Sequence, residues 1–201
     1  MTPDTRWLYL GLIGLVVVER LVELVITERN ARRMRSRGGF EVGGAHFLPM
    51  ALLHAGLLVA APLEVFRLER PFVPLLGGVM LVLLAGTMAL RYWAISSLGD
   101  RWTTRVFVVP EEPPAVRGPY RWLRHPNYLA VIVEVAVLPL VHTAWWTAIA
   151  FSIGNALVLR TRIRVEEEAL EAHSDYFEKL GDRPRLIPGR EISASDSPTS
   201  S

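Results

Sequence analysis

The chain has 201 residues, 51% of them apolar, with no cysteine and a formal net charge of +2. That length fits a single domain, but the composition is too apolar for an ordinary soluble one, and the lack of thiols excludes a disulfide framework, a cysteine-ligated zinc or iron–sulfur site and a cysteine nucleophile. Of the 22 basic residues 21 are Arg, grouped in short clusters between apolar runs, so the basic balance points to membrane topology and away from nucleic acid.

A bilayer core of about 30 Å takes about 20 helical residues. Five apolar runs approach that length. The first covers residues 7–26; it lacks a small-residue cleavage site and runs straight into Glu19 and Arg20, which predicts a retained helix rather than a signal peptide. A Gly-rich loop over 38–44 leads to the second run, 47–66, and the third covers 73–96. Two shorter runs, 128–141 and 145–159, are separated only by His142, Thr143 and Ala144, which predicts an antiparallel helical hairpin packed on its neighbours or set in a thinned bilayer. From residue 189 the chain is small and polar and reads as a disordered tail, leaving one integral membrane domain over 1–188. The expected fold is all-α and polytopic, with about five transmembrane helices. Seventeen basic residues fall on one side of these spans and three on the other, so the positive-inside rule puts the N-terminus outside and the C-terminus in the cytoplasm of an inner or plasma membrane.

Charges inside the spans are expensive unless paired. Glu19 and Glu23 share a helix face with Arg20 adjacent, and they are expected to face the bundle interior with Arg91, as a structural ion cluster or as part of a polar pocket. Glu134 stands alone in the fourth run, which makes it a candidate catalytic group. His46 and His54 are eight apart and share a face, but no third ligand is evident, so no metal site is expected. His142 and His173 read as solvent-facing.

Residues 118–128 spell GPYRWLRHPNY directly before an apolar helix. Gly118 and Pro119 suit a turn, and Pro126 with Asn127 suits a first helical turn, where a missing N–H does no harm. Taken alone, the segment could be an interfacial belt of Tyr120, Trp122 and Tyr128 with Arg121 and Arg124 on phosphates. A second cluster, RTRIRVEEEAL from Arg160, follows the fifth run. Its charges could pair along an exposed helix, Arg162 with Glu166 and Arg164 with Glu168. The hairpin nevertheless returns this cluster beside GPYRWLRHPNY, gathering Arg, His, Tyr and Glu at a membrane surface, and convergent polar groups beside an apolar cleft mark a binding site.

The pattern G-P-Y-R-x-x-R-H-P-x-Y, a hydrophobic hairpin and then R-x-x-x-E-E-x-x-L resembles the isoprenylcysteine carboxyl methyltransferase family of integral membrane enzymes over about residues 116–172. The resemblance implies S-adenosylmethionine as cofactor, a cytoplasmic cofactor-binding region over about 116–188, and a pocket lined by Tyr120, His125, Pro126 and Tyr128 and closed by Arg162, Glu166 and Glu167. ERLVELVITERNARRM, AHFLPMALLHAG and RYWAISSLG look like the bacterial branch that O-methylates long-chain alkylpyrones and alkylresorcinols. After Leu170 the segment EAHSDYFEKLGDRPRLIP departs from the family pattern: it is shorter, keeps Tyr176 and has Asp182 and Arg183 before Pro184.

These residue types suit methyl transfer from a sulfonium, an in-line displacement that needs both reactants held close in a dry site and no nucleophilic side chain. The expected partners are the bilayer and a lipophilic small molecule whose polar head meets the cofactor at the interface. A hydroxyl acceptor could draw base assistance from Glu134, His46 or His54. The carboxylate of a prenylated cysteine is the alternative acceptor, and a non-catalytic membrane adaptor or small transporter is the alternative of another class.

Overall fold

The computed structural model describes residues 4–44, 47–110 and 112–186; His46 and the tail expected to be disordered lie outside them. Helix α1 (Thr5–Ser36) starts where the Asp4 side chain accepts the Arg6 N–H at 3.1 Å, and basic Arg33 and Arg35 suit the negative end of its dipole. A short strand β1 (Phe40–Val42) follows, then α2 (Phe47–Arg67) and α3 (Pro74–Leu98). A 3-10 turn at Gly99–Arg101 leads to β2 (Val106–Val108), which pairs antiparallel with β1 so that Glu41 faces Phe107. A second 3-10 turn, Gly118–Arg121, precedes α4 (Pro126–Leu140), α5 (Trp145–His173) and the short α6 (Tyr176–Leu180).

All five expected spans are helical, but their lengths depart from the apolar runs. Among the described residues two helices combine the length and apolarity needed to cross a bilayer, α2 and the stretch from Pro74 to Arg101. Helix α1 is long enough, yet it carries Glu19, Arg20 and Glu23 within its apolar stretch, while α4 has only 15 residues. Helix α5 does not stop at residue 159; it runs on to His173, 29 residues in all, so RTRIRVEEEAL lies in its second half. No proline or glycine interrupts it there, and the change from apolar to charged side chains alters its surroundings without breaking its hydrogen bonds.

Packing is layered along α1. Tyr9, Ile13 and Val16 build an apolar cluster with Ala61 and Val65 of α2, Leu84 of α3 and Leu138 of α4. One turn on comes a charged layer. Arg91 grips Glu23 with two nitrogens at 2.5 and 2.7 Å, and Arg20 bridges Glu23 at 2.6 Å to Glu134 at 3.0 Å. The expected inward-facing cluster is therefore formed, with Glu134 as a member. Beyond it, Thr27 and Asn30 bind backbone of the loop after α3: Asn30 donates to the carbonyls of Gly99 and Trp102, and Thr27 Oγ1 accepts the Thr104 N–H at 3.1 Å. The opposite faces of α1, α2, α3 and α5 expose Leu15, Val25, Leu52, Leu75, Val82 and Ile153 among others, an apolar belt of the kind that marks lipid contact.

The α4–α5 turn is built differently from expectation. His142 is 1% exposed rather than solvent-facing, packed between Tyr9 and Phe72 with Nε2 against the Thr5 hydroxyl at 3.1 Å. Glu64 of α2 caps α5 from outside its own sequence, accepting the Trp146 and Thr147 N–H groups at 3.2 and 2.7 Å.

Candidate functional site

Gly118 sets the entry to the site. Its φ of 59° lies in the left-handed region, and a Cβ there would overlap the Ser97 hydroxyl at the end of α3, so glycine is required on both counts. Pro119 and Tyr120 then turn inward and are buried. Pro126 occupies the first position of α4 as expected, with His125 before it, and the next turn carries Tyr128 into the interior. The His125 and Tyr128 rings stack at 5.3 Å.

From the other side, α5 presents Arg162, Glu166 and Glu167. Arg162 Nε donates to the Tyr128 hydroxyl at 2.7 Å and Nη2 donates to the Thr104 carbonyl at 2.5 Å, while the Tyr128 hydroxyl in turn donates to Glu166. The expected i, i+4 pairs are thus replaced. Arg162 is spent on Tyr128 and the loop after α3, because it is buried where those acceptors are, and Arg164–Glu168 is absent from the ion pairs of the described residues. Burial works against the Arg162 charge, but the Tyr128 oxygen and the Glu166 carboxylate outweigh it and push its pKa up.

Glu167 is the anchor of a cation cluster. It meets His125 Nε2 at 3.1 Å, Arg124 Nη1 at 3.2 Å and Arg185 Nη2 at 2.6 Å. Burial would raise this carboxyl, but the His125 and Arg185 hydrogen bonds, with the Arg124 charge, override it and hold the pKa at about 2. Arg185 belongs to a strap after α6 that sequence reasoning left without contacts. The strap's Pro184 and Arg185 carbonyls accept the Arg124 and His125 N–H groups at 3.0 Å each, and Arg183 donates to the Tyr120 carbonyl.

Two hollows meet here. A cleft of about 170 Å³ is lined by Tyr120, His125, Tyr128, Arg162, Glu166 and Tyr176. Burial, reinforced by the Glu166 charge, pushes the Tyr120 and Tyr176 hydroxyls up, so both stay neutral. A second, mostly apolar groove of about 460 Å³ runs between α1, α2, α4 and α5, past Leu21, Met50, Leu58 and Val131. Trp102, Thr103, Asn127, Tyr128 and Arg162 border both. Of the proposed bases, His54 lines the groove; its Nδ1 lies 2.8 Å from the Met50 carbonyl, which can only accept, so in the neutral ring Nε2 carries the lone pair. Glu134 borders neither hollow and is held by Arg20 and Arg91. Pro126 and Glu167 stand behind the cleft wall rather than in it.

Five buried polar atoms on residues lining the cleft have no partner among the described residues: Trp102 Nε1, Arg105 Nε, Arg124 Nε, Asn127 Oδ1 and the Tyr176 hydroxyl. Native interiors leave few such atoms. Their concentration here fits a polar ligand. Trp102 has no spacing signal in the sequence, since it serves the site singly from the loop after α3, and Asn127, inside the motif, reads only as part of a first helical turn.

Residues 79–172 match the isoprenylcysteine carboxyl methyltransferase family. The chain is also 34% identical over 163 residues to the uncharacterized protein YpbQ of Bacillus subtilis (strain 168), covering 81% of this chain and 96% of the relative. An uncharacterized protein of Haemophilus influenzae is 26% identical over 156 residues, covering 77% and 90%.

Proposed function

The chain belongs to the isoprenylcysteine carboxyl methyltransferase family of membrane methyltransferases, and on that footing we propose that it is an S-adenosylmethionine-dependent O-methyltransferase acting on a lipophilic acceptor dissolved in the bilayer. The observation that carries the reading is the common wall of the two hollows. A polar cleft with unpaired buried atoms adjoins an apolar groove, and Tyr128, Arg162 and Asn127 face both. A long apolar tail in the groove would bring its polar head to the cleft.

In this reading Tyr120, His125, Tyr128, Arg162 and Glu166 line the cofactor site. Arg162 supplies a cation for a carboxylate, Glu166 an anion for an ammonium, and the Tyr120 and Tyr128 rings tolerate a cation on their faces. Asn127 Oδ1 and the Tyr176 hydroxyl offer the remaining polar contacts. Bound there, S-adenosylmethionine would supply a methyl carbon on a sulfonium, whose sulfur keeps the bonding pair as the acceptor oxygen takes the carbon. The protein's share of the catalysis is alignment and exclusion of water. Pro126 starts the helix that carries the motif, Glu167 fixes His125 and the strap, and Glu134 fixes the arginines beside the groove. For a hydroxyl acceptor, His54 Nε2 is positioned on the groove wall to take the proton.

The favoured acceptor is the hydroxyl of an alkylpyrone or alkylresorcinol. The family description supports the carboxylate of a prenylated cysteine as the second acceptor. The belt of exposed apolar side chains on α1 and α5 supports these two as spans beside the two apolar helices, and the uneven distribution of Arg along the sequence supports the N-terminus outside and the site at the cytoplasmic face. The test is transfer of labelled methyl from S-adenosylmethionine by detergent-solubilised protein to a panel of alkylpyrone, alkylresorcinol, farnesylcysteine analogue and phosphatidylethanolamine. Label in an oxygen acceptor is the expected result; label in none, with no cofactor binding by calorimetry, overturns the reading.

A further inference from the structure

Trp102 is 2% exposed, borders both the cleft and the groove, and leaves its indole N–H without a partner among the described residues. Its backbone is held from α1, by Asn30 at its own carbonyl and by Thr27 two residues on. The loop is fixed at both points. An indole N–H can only donate, and leaving it buried and unpaired is unfavourable. The Glu23 carboxylate on the groove wall is occupied by Arg20 and Arg91, so it offers no open anion for an ammonium.

Resting on the methyltransferase reading above, we propose that Trp102 reads the head of the acceptor: its N–H donates to a carbonyl or anionic oxygen adjacent to the oxygen that receives the methyl group. The acceptor class that fits is a head with two conjugated oxygens, an enolised carbonyl or a carboxylate, on a long apolar tail. One oxygen is held by the indole while its partner faces the cleft. An amine head offers this donor no oxygen conjugated with the atom that receives the methyl group, and a phenol with one ring oxygen loses either the contact or the alignment.

Trp102→Phe keeps an aromatic ring and removes the N–H. Calorimetry on detergent-solubilised protein would compare it with the unaltered chain for three ligands: a long-chain alkylpyrone, an alkylbenzene with the same tail, and S-adenosylmethionine. The expected result is alkylpyrone binding weaker by about ten- to a hundredfold, the loss of one hydrogen bond to a charged group, with the other two unchanged. Unchanged alkylpyrone binding, or a loss that falls on S-adenosylmethionine instead, overturns the proposal. If the unaltered chain binds cofactor but no alkylpyrone, this proposal fails alone; if it binds neither, the functional reading fails with it. Should the variant not fold, the Trp102 indole N–H resonance of the unaltered chain, identified by elimination with Phe variants at the other five tryptophans, must shift downfield with alkylpyrone and stay in place with alkylbenzene. An unmoved resonance with alkylpyrone overturns it.

Discussion

The side-chain amide of Asn30 donates to the Trp102 carbonyl at 2.8 Å, tying the loop after α3 to a helix 72 residues earlier in the chain. A second bond from the same nitrogen reaches the Gly99 carbonyl at 3.1 Å. Asn30→Leu keeps the branched shape and strands the Trp102 carbonyl in the interior, at a cost of about 1–3 kcal/mol. Thermal unfolding in detergent should show the loss, and the acceptor KM should rise more than the cofactor KM, because Trp102 borders the groove.

The Arg91–Glu23 pair should be far less tolerant of single changes than of paired ones. Arg91→Met leaves Glu23 buried with only Arg20 for company, which should cost about 3–5 kcal/mol. The double variant Glu23→Met with Arg91→Met removes equal and opposite charges and should recover much of that stability, read by chemical unfolding. A double variant as unstable as the sum of its parts would show that Arg20 and Glu134 depend on the pair.

Acid should release the C-terminal strap late. The Glu167 carboxyl sits lower in the folded chain than its ordinary 4.5, at about 2, so its contribution is full above the ordinary value and drains away as pH falls toward about 2. The His125 amide hydrogen, bonded to the Arg185 carbonyl, should stay protected from exchange at pH 4 and lose protection below about pH 3. In Glu167→Gln that protection should already be weak at pH 7.

Tyr128→Phe removes the oxygen that Arg162 donates to and the proton that Glu166 accepts. Two charged groups lose a neutral mediator, so calorimetry should show cofactor affinity lowered by about tenfold or more, with the melting temperature changed little. Gly118→Ala acts through folding instead. Its Cβ meets Ser97 and its φ is strained, so expression and melting temperature should both fall, and Ser97→Gly should rescue it only in part because the φ remains.

The helical architecture was legible because apolar runs and their charged boundaries carry it directly. So was the meeting of GPYRWLRHPNY with the segment after the hairpin, since a three-residue turn leaves α4 and α5 little choice but to lie side by side. What the runs hide is continuity: the apolar face of α5 ends at residue 159, although its backbone goes on to His173 as one helix. The strands Phe40–Val42 and Val106–Val108 are too short for a period to register and find each other only through tertiary placement. Trp102 was invisible for a related reason. Its significance, like that of the Asn127 oxygen within the motif, lies in an unmet hydrogen bond, which no spacing encodes. His142 misled because polar residues in tight turns are usually wet, whereas this turn is roofed by Tyr9 and Phe72.

Because α5 is unbroken, depth in the lipid and phase around the helix cannot be adjusted independently. Leu157 is exposed on the apolar belt and Arg162 lies five residues further along the same rod, about 7.5 Å of rise. Adding one residue between them would carry Arg162 about 1.5 Å further from the belt and swing it by about 100°, away from Tyr128. Relatives adapted to thicker or thinner bilayers therefore have to accommodate by tilting the bundle or by changing the length of the rod on its other side, between Glu64's cap and Leu157, in whole turns.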